Sequence, residues 1–147
     1  MQIRVLLLLM ALAVVTACGS DEPVGLEGFE TSTITVDDRE LAVAVAETPI
    51  QRSQGLMGVT DLGGLDGMLF VFQTDSAGGF WMKNTLIPLD IVFFTAEGGF
   101  VDALTMAPCS EDPCPTYRPR GSYRYALEAP VGDLAFVTPT SRLRLDP

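Results

Sequence analysis

Phe80-Trp81-Met82-Lys83-Asn84-Thr85-Leu86-Ile87-Pro88-Leu89-Asp90-Ile91-Val92-Phe93-Phe94 is the stretch around which the rest of the chain is organised. It sets the chain's single tryptophan, its single lysine, an amide and a carboxylate into an otherwise apolar run. Pro88 lacks an N–H and belongs at a strand start or edge, so the strand proper is predicted over Leu89 to Thr95. An ionised carboxylate in such a strand is costly unless it is paired or hydrogen-bonded. Asp90 therefore requires partners. Lys83, Asn84, the Thr85 hydroxyl and the backbone N–H groups of the bend before Pro88 are the nearest in sequence. Two roles fit the cluster: a polar latch that fixes the turn, or a binding or catalytic pocket built on the same groups.

Outward from this stretch the patterning is mostly that of strands. Met68-Leu69-Phe70-Val71-Phe72 is apolar on both alternations, which predicts a central strand buried on both faces. Ala96-Glu97-Gly98-Gly99 is a turn, and Phe100 to Ala107 is predicted to return antiparallel. Thr33 to Val36 and Leu41 to Ala46 flank Asp37-Asp38-Arg39-Glu40 as a hairpin with one face inward. Thr48-Pro49-Ile50-Gln51 predicts a helix start, with Thr48 as N-cap, Pro49 at the first helical position and Gln51 closing a capping box. That helix should run to about Met57, with Ile50 and Met57 on one face and Arg52 free to reach a partner.

Near the C terminus, Tyr123, Tyr125 and Leu127 are assigned to one strand face and Arg124 and Glu128 to the other. Asp133 to Val137 follows as one helical turn, and Arg142-Leu143-Arg144-Leu145 as a final strand. The expected fold class is α+β: mostly antiparallel sheet curled toward a barrel, with one short helix on the N-terminal side and one helical turn near the C terminus. The glycine-rich connection from Thr60 to Gly67 lacks any phosphate-loop pattern.

The first residues speak to compartment. Met1 to Ala17 carries Arg4 and then the apolar run Val5 to Val15, a secretory signal too short for a membrane span. Val15-Thr16-Ala17-Cys18 resembles the lipobox of bacterial lipoproteins, which implies a mature chain lipidated at Cys18, tethered outside the cytoplasm and held to the membrane by the lipid. Residues 18–31 carry acids and glycines with little apolar patterning and are read as a flexible acidic tether. Residues 32–147 suit one domain with one core. The formal net charge of −10 argues against nucleic acid and against electrostatic attraction to anionic lipid. Arg118, Arg120, Arg124, Arg142 and Arg144 gather in the last quarter, as an anion-binding face or as partners for acidic strands of the same domain. Cys109 and Cys114, in an exported protein, predict a disulfide closing a small loop.

Several blocks resemble the motifs of the uncharacterised domain-of-unknown-function family 192. They are Arg52-Ser53-Gln54-Gly55-Leu56-Met57, Gly67-Met68-Leu69-Phe70-Val71-Phe72 and the stretch from Phe80 to Ile91. Pro108-Cys109, Cys114-Pro115 with Tyr117, and Tyr125-Ala126-Leu127-Glu128 continue the match in order. The resemblance runs from about Leu41 to the C terminus. It implies a β-rich fold and no particular reaction.

The chain has no histidine, which removes the commonest general base and the Ser-His-Asp, Cys-His and histidine-metal arrangements. A catalyst would have to use Lys83 with Asp90, or a serine with Lys83, and Asp90 nearby would keep that lysine charged. Met57, Met68, Met82 and Met106 would make a poor Cu(I) site and read better as core. No metal or cofactor is expected. The leading expectation is a lipid-anchored binding module whose candidate ligand-binding residues are Arg52, Trp81, Lys83, Asn84 and Asp90. Its ligand would be a small molecule or a strand of an envelope protein, and a purely structural role for the motif is the bland alternative.

Overall fold

The computed structural model describes residues 25–145. The signal segment, the lipobox and Cys18 lie outside the described residues.

Strand β1 (Glu30–Val36) pairs antiparallel with β2 (Arg39–Ala46) through a turn in which Asp37 takes a positive φ of 56°. Asp and Asn tolerate that left-handed conformation better than other residues with a Cβ. The domain begins earlier than residue 32. Leu26 is buried in the core and Phe29 packs against it, so the segment from 25 onward belongs to the fold rather than to a tether.

Helix α1 (Pro49–Gln54) starts as predicted: Thr48 accepts from the Gln51 N–H, and the Gln51 side chain closes the capping box. It is shorter than expected because Gly55 ends it. Ile50 is 80% exposed, so the apolar face inferred from Ile50 and Met57 does not form. What fixes α1 to the sheet is Arg52, whose guanidinium donates to the carbonyls of Glu47 and Val71 and lies 4.7 Å over the Phe72 ring.

After α1 the chain returns as β3 (Gly67–Ser76), parallel to β2, then crosses into the short β4 (Phe80–Trp81), β5 (Leu89–Phe94) and β6 (Phe100–Met106). β7 (Thr116–Tyr117) pairs with β4, and β8 (Tyr123–Pro130) lies between β5 and β3. β9 (Leu143–Leu145) closes on β1. The main sheet has seven strands in the order β6-β5-β8-β3-β2-β1-β9. Its two ends approach each other: Leu143 N–H donates to the Gly98 carbonyl at 2.9 Å, and Gly99 bridges Arg142. The sheet is thus a curled half-barrel of mostly antiparallel strands with one short helix. Residues 131–136, where a helical turn was expected, form a run of turns.

Curling gives the sheet two buried faces, and the alternation of β3 and β5 serves both. Val36, Leu69, Val92, Phe94, Leu127 and Leu143 fill the inside of the curl. Met68, Phe70, Leu89, Ile91, Phe93 and Ala126 face the other way, where α1, the glycine-rich connection and the Trp81 segment cover them. Met82 and Met106 belong to this second cluster as core residues, which accounts for three of the methionines weighed as copper ligands. Gly67 is required here: a Cβ on it would meet the Glu128 carbonyl oxygen at 2.1 Å.

Two of the arginines of the last quarter pair with acids of their own domain, and a third donates to a backbone carbonyl. Arg120 pairs with buried Asp102 at 2.7 Å, Arg124 with Asp75 at 2.8 Å, and Arg144 donates to the Asp37 carbonyl. The Arg120 guanidinium holds the Asp102 carboxyl below the usual carboxylate range. Cys109 and Cys114 form the expected disulfide, and among the described residues no helix is long and apolar enough to cross a membrane. The disulfide is compatible with an exported protein.

Candidate functional site

A cleft of about 380 Å³ opens between the end of α1 and the Phe80–Trp81 strand. Four pieces of chain build it. α1 and the turn after it contribute Arg52, Gln54, Leu56 and Met57, and β3 contributes Phe70, Phe72 and Ser76. The Gly78–Trp81 crossing and Thr85 form another side, and β8 contributes Tyr123 and Glu128. The aromatic rings brace one another edge to face. Phe70 and Phe80 lie 5.0 Å apart, and Phe72 and Tyr123 lie 5.2 Å apart, in the T-shaped geometry that ring quadrupoles favour.

Tyr123 fixes the turn at one end. Its hydroxyl donates to the Gly78 carbonyl at 3.0 Å and accepts from Ser76, whose oxygen in turn accepts from the Gly78 N–H. Burial pushes the Tyr123 phenol up. Trp81, at 54% exposed, is a large apolar side chain held by a two-residue strand and left open to solvent beside the cavity.

Glu128 is the residue that sequence reasoning passed over. It lies on β8 opposite Met68 of β3 and Ile91 of β5, both fully buried. Its exposure is 5%, it lines the cleft, and among the described residues no hydrogen bond or ionic neighbour offsets its desolvation. Burial alone pushes its carboxyl up to about 8. The placement of Tyr123 differs from the alternation as well. A register shift in β3 between Val71 and Ser76 brings Tyr123 to the side of Ala126 and Glu128, while Tyr125 and Leu127 face the inside of the curl. The available signal was an acid in the apolar run Ala126-Leu127-Glu128-Ala129, the same signal that drew attention to Asp90.

Of the five residues expected to form a site, the fold brings two to the cleft, Arg52 and Trp81. Lys83 pairs with Asp112 of the disulfide loop at 2.8 Å, not with Asp90. Asn84 serves through its backbone: at φ 57° its N–H donates to the Cys109 carbonyl and its carbonyl accepts from Gly58, which ties the disulfide loop to the end of α1. Asp90 points to the other side of the sheet, where it accepts from the Thr105 hydroxyl at 2.6 Å and the Gly132 N–H at 2.8 Å. Asp90 thus holds the C-terminal turns, not the bend before Pro88 through Lys83, Asn84 and Thr85 as expected. Asp90→Asn should therefore lower stability by about 1–2 kcal/mol through weakened charge-assisted hydrogen bonds. Chemical denaturation checks this, and a loss of ligand binding at unchanged stability would contradict it.

Among the described residues no three His, Cys, Asp or Glu side chains gather as metal ligands would. The arrangement in the cleft suits binding: aromatic walls, one buried acid, the Thr85 hydroxyl, and a guanidinium already committed to backbone carbonyls.

Two solved structures resemble the whole fold. A candidate transcription regulator from Sinorhizobium meliloti 1021 is 30% identical, with a TM-score of 0.71 over 80% of this chain and 95% of that one. A protein of unknown function from Novosphingobium aromaticivorans DSM 12444 is 27% identical, with a TM-score of 0.72 over 84% of this chain and 89% of that one. No curated protein matches the sequence. The model of family DUF192, described as "Uncharacterized ACR", matches residues 32–144. With the Arg52, Gly67 and Trp81 blocks meeting around one cleft in that fold, the chain belongs to domain-of-unknown-function family 192.

Proposed function

We propose that the protein is a lipid-anchored, extracytoplasmic module that binds a small molecule in the cleft between α1 and the Phe80–Trp81 strand. The observation that carries this reading is Glu128, an acid buried in a cavity wall with no partner of its own. No fully buried side-chain polar atom lacks a partner among the described residues, so the Glu128 carboxyl opens onto the cleft, where a ligand can supply the partner that the fold does not. The half-exposed Trp81 beside it offers the apolar contact that small-molecule sites use.

Export and anchoring rest on the signal-like segment with the lipobox at Cys18, and the Cys109–Cys114 disulfide suits an oxidising compartment. The Sinorhizobium relative raises gene regulation as a second reading, but a net charge of −10 opposes phosphate backbones. Catalysis by Lys83 with Asp90 finds no support, because each is engaged elsewhere, with Asp112 and with Thr105 and Gly132.

Native mass spectrometry of the full chain, released from its own envelope in mild detergent, tests the reading. The parent should carry a discrete bound mass beyond its lipid. Trp81→Ala should lose it, and Asp90→Asn should keep it. A parent with no bound mass would contradict small-molecule binding.

A further inference from the structure

The cleft also bears on the charge of what it holds, and this inference rests on the binding reading above. Among the described residues that line it Glu128 is the one acid, buried and without a partner among them, in a cleft that also has aromatic walls. Aromatic faces carry negative potential and attract cations, most strongly where water is excluded. One ring of this cleft already does so: Phe72 takes the Arg52 guanidinium on its face at 4.7 Å. Arg52 itself is held by the Glu47 and Val71 carbonyls, so it is poorly placed to neutralise Glu128 or to anchor an anion. The net charge of −10 adds a field that draws cations in and keeps anions out.

We propose that the ligand is an organic cation, a small amine or quaternary ammonium with an apolar body, whose charge sits between Glu128 and the faces of Phe80 and Trp81. An incoming cation provides the carboxylate with the counter-charge that the fold withholds. The apolar body fills the remainder of the cleft.

Binding then has a characteristic dependence on pH. A permanent cation displaces the Glu128 proton wherever the free protein holds one, so affinity rises about tenfold per unit up to about pH 8 and is level above it. Of the other groups that line the cleft, the Arg52 guanidinium is held by the Glu47 and Val71 carbonyls, and burial moves the Tyr123 phenol further up. β3 and β5 place Met68 and Ile91 beside Glu128, neither of which titrates.

The test uses benzyltrimethylammonium, benzyl alcohol and phenylacetate as probes of matched ring and different charge. Their binding is followed by the fluorescence of Trp81, the single tryptophan, and by calorimetry on the full chain after removal of any copurified ligand. The ammonium probe should bind at least tenfold more tightly than the other two at pH 8, and roughly a hundredfold more tightly at pH 8 than at pH 6. Glu128→Gln, shown to be folded by an unchanged near-ultraviolet spectrum, should lose both the preference and the pH dependence. Equal or tighter binding of the alcohol or the carboxylate, or unaltered ammonium binding by Glu128→Gln, would overturn the cation assignment and leave the cleft as a site of another ligand class. Failure of all three probes would overturn the assignment too, and the bound mass in the native spectrum would then judge the cleft by itself.

Discussion

Glu128→Gln is expected to stabilise the ligand-free protein, by an amount that grows with pH. The folded-state carboxyl is raised from 4.5 to about 8 because burial disfavours its charge. Between those values the folded protein binds more proton than the unfolded chain. Stability contributed by the neutral acid is therefore complete below pH 4.5, declines as pH rises, and is level again above about 8. Each unit corresponds to about 1.4 kcal/mol, so the parent should lose roughly 3 kcal/mol by pH 7 and about 5 kcal/mol by pH 8 relative to a side chain that cannot ionise. Gln is such a side chain, and any fixed difference between amide and neutral carboxyl is independent of pH. Asp102 and Asp37, both lowered by their partners, lose stability as pH falls. They are present in both proteins and cancel. Urea midpoints of parent and variant at pH 5, 7 and 8.5 should diverge, and parallel curves would contradict a buried neutral Glu128.

Gly98→Ala is expected to have a comparably large effect in the opposite direction, for an unrelated reason. Gly98 has a φ of 77°, and a Cβ there would lie 2.0 Å from the Leu143 carbonyl oxygen, a backbone atom that cannot swing aside. The turn between β5 and β6 would have to withdraw from the start of β9, and the contact that closes the curl would open. Steric overlap and left-handed strain together predict a loss of about 3 kcal/mol or more. The neighbouring Gly99→Ala is the control. Its Cβ meets Thr95 at 3.4 Å, an ordinary contact, and the loss there should stay below about 1 kcal/mol. Equal losses at the two positions would contradict the close approach of the sheet's ends.

The parts of the fold legible in the sequence were those fixed by near neighbours. The capping box of Thr48 and Gln51 is a four-residue pattern, and the β5–β6 hairpin follows from Gly98-Gly99 between apolar runs. The five-residue spacing of Cys109 and Cys114 gave the disulfide. The site was less legible because its partners come from far along the chain. Asp90 finds Thr105 and Gly132, 15 and 42 residues away, and Lys83 finds Asp112, 29 residues away. Proximity in sequence had pointed each of them to the other. Ile50 misled for a similar reason: helical spacing marks a face, but here Arg52, not Ile50, docks α1 on the sheet. Glu128 was missed because alternation tells the two faces of a strand apart without telling whether either is wet, and the curl of this sheet covers both.

Glu128 is a buried acid facing the cleft, without a partner among the described residues. Carbon NMR of the ligand-free protein with labelled glutamate side chains, with the Glu128 signal assigned by its absence from Glu128→Gln, tests it most directly. This one carboxyl should titrate near pH 8 and move downward when a cationic ligand occupies the cleft. A midpoint in the ordinary range near 4 in the ligand-free protein would contradict it.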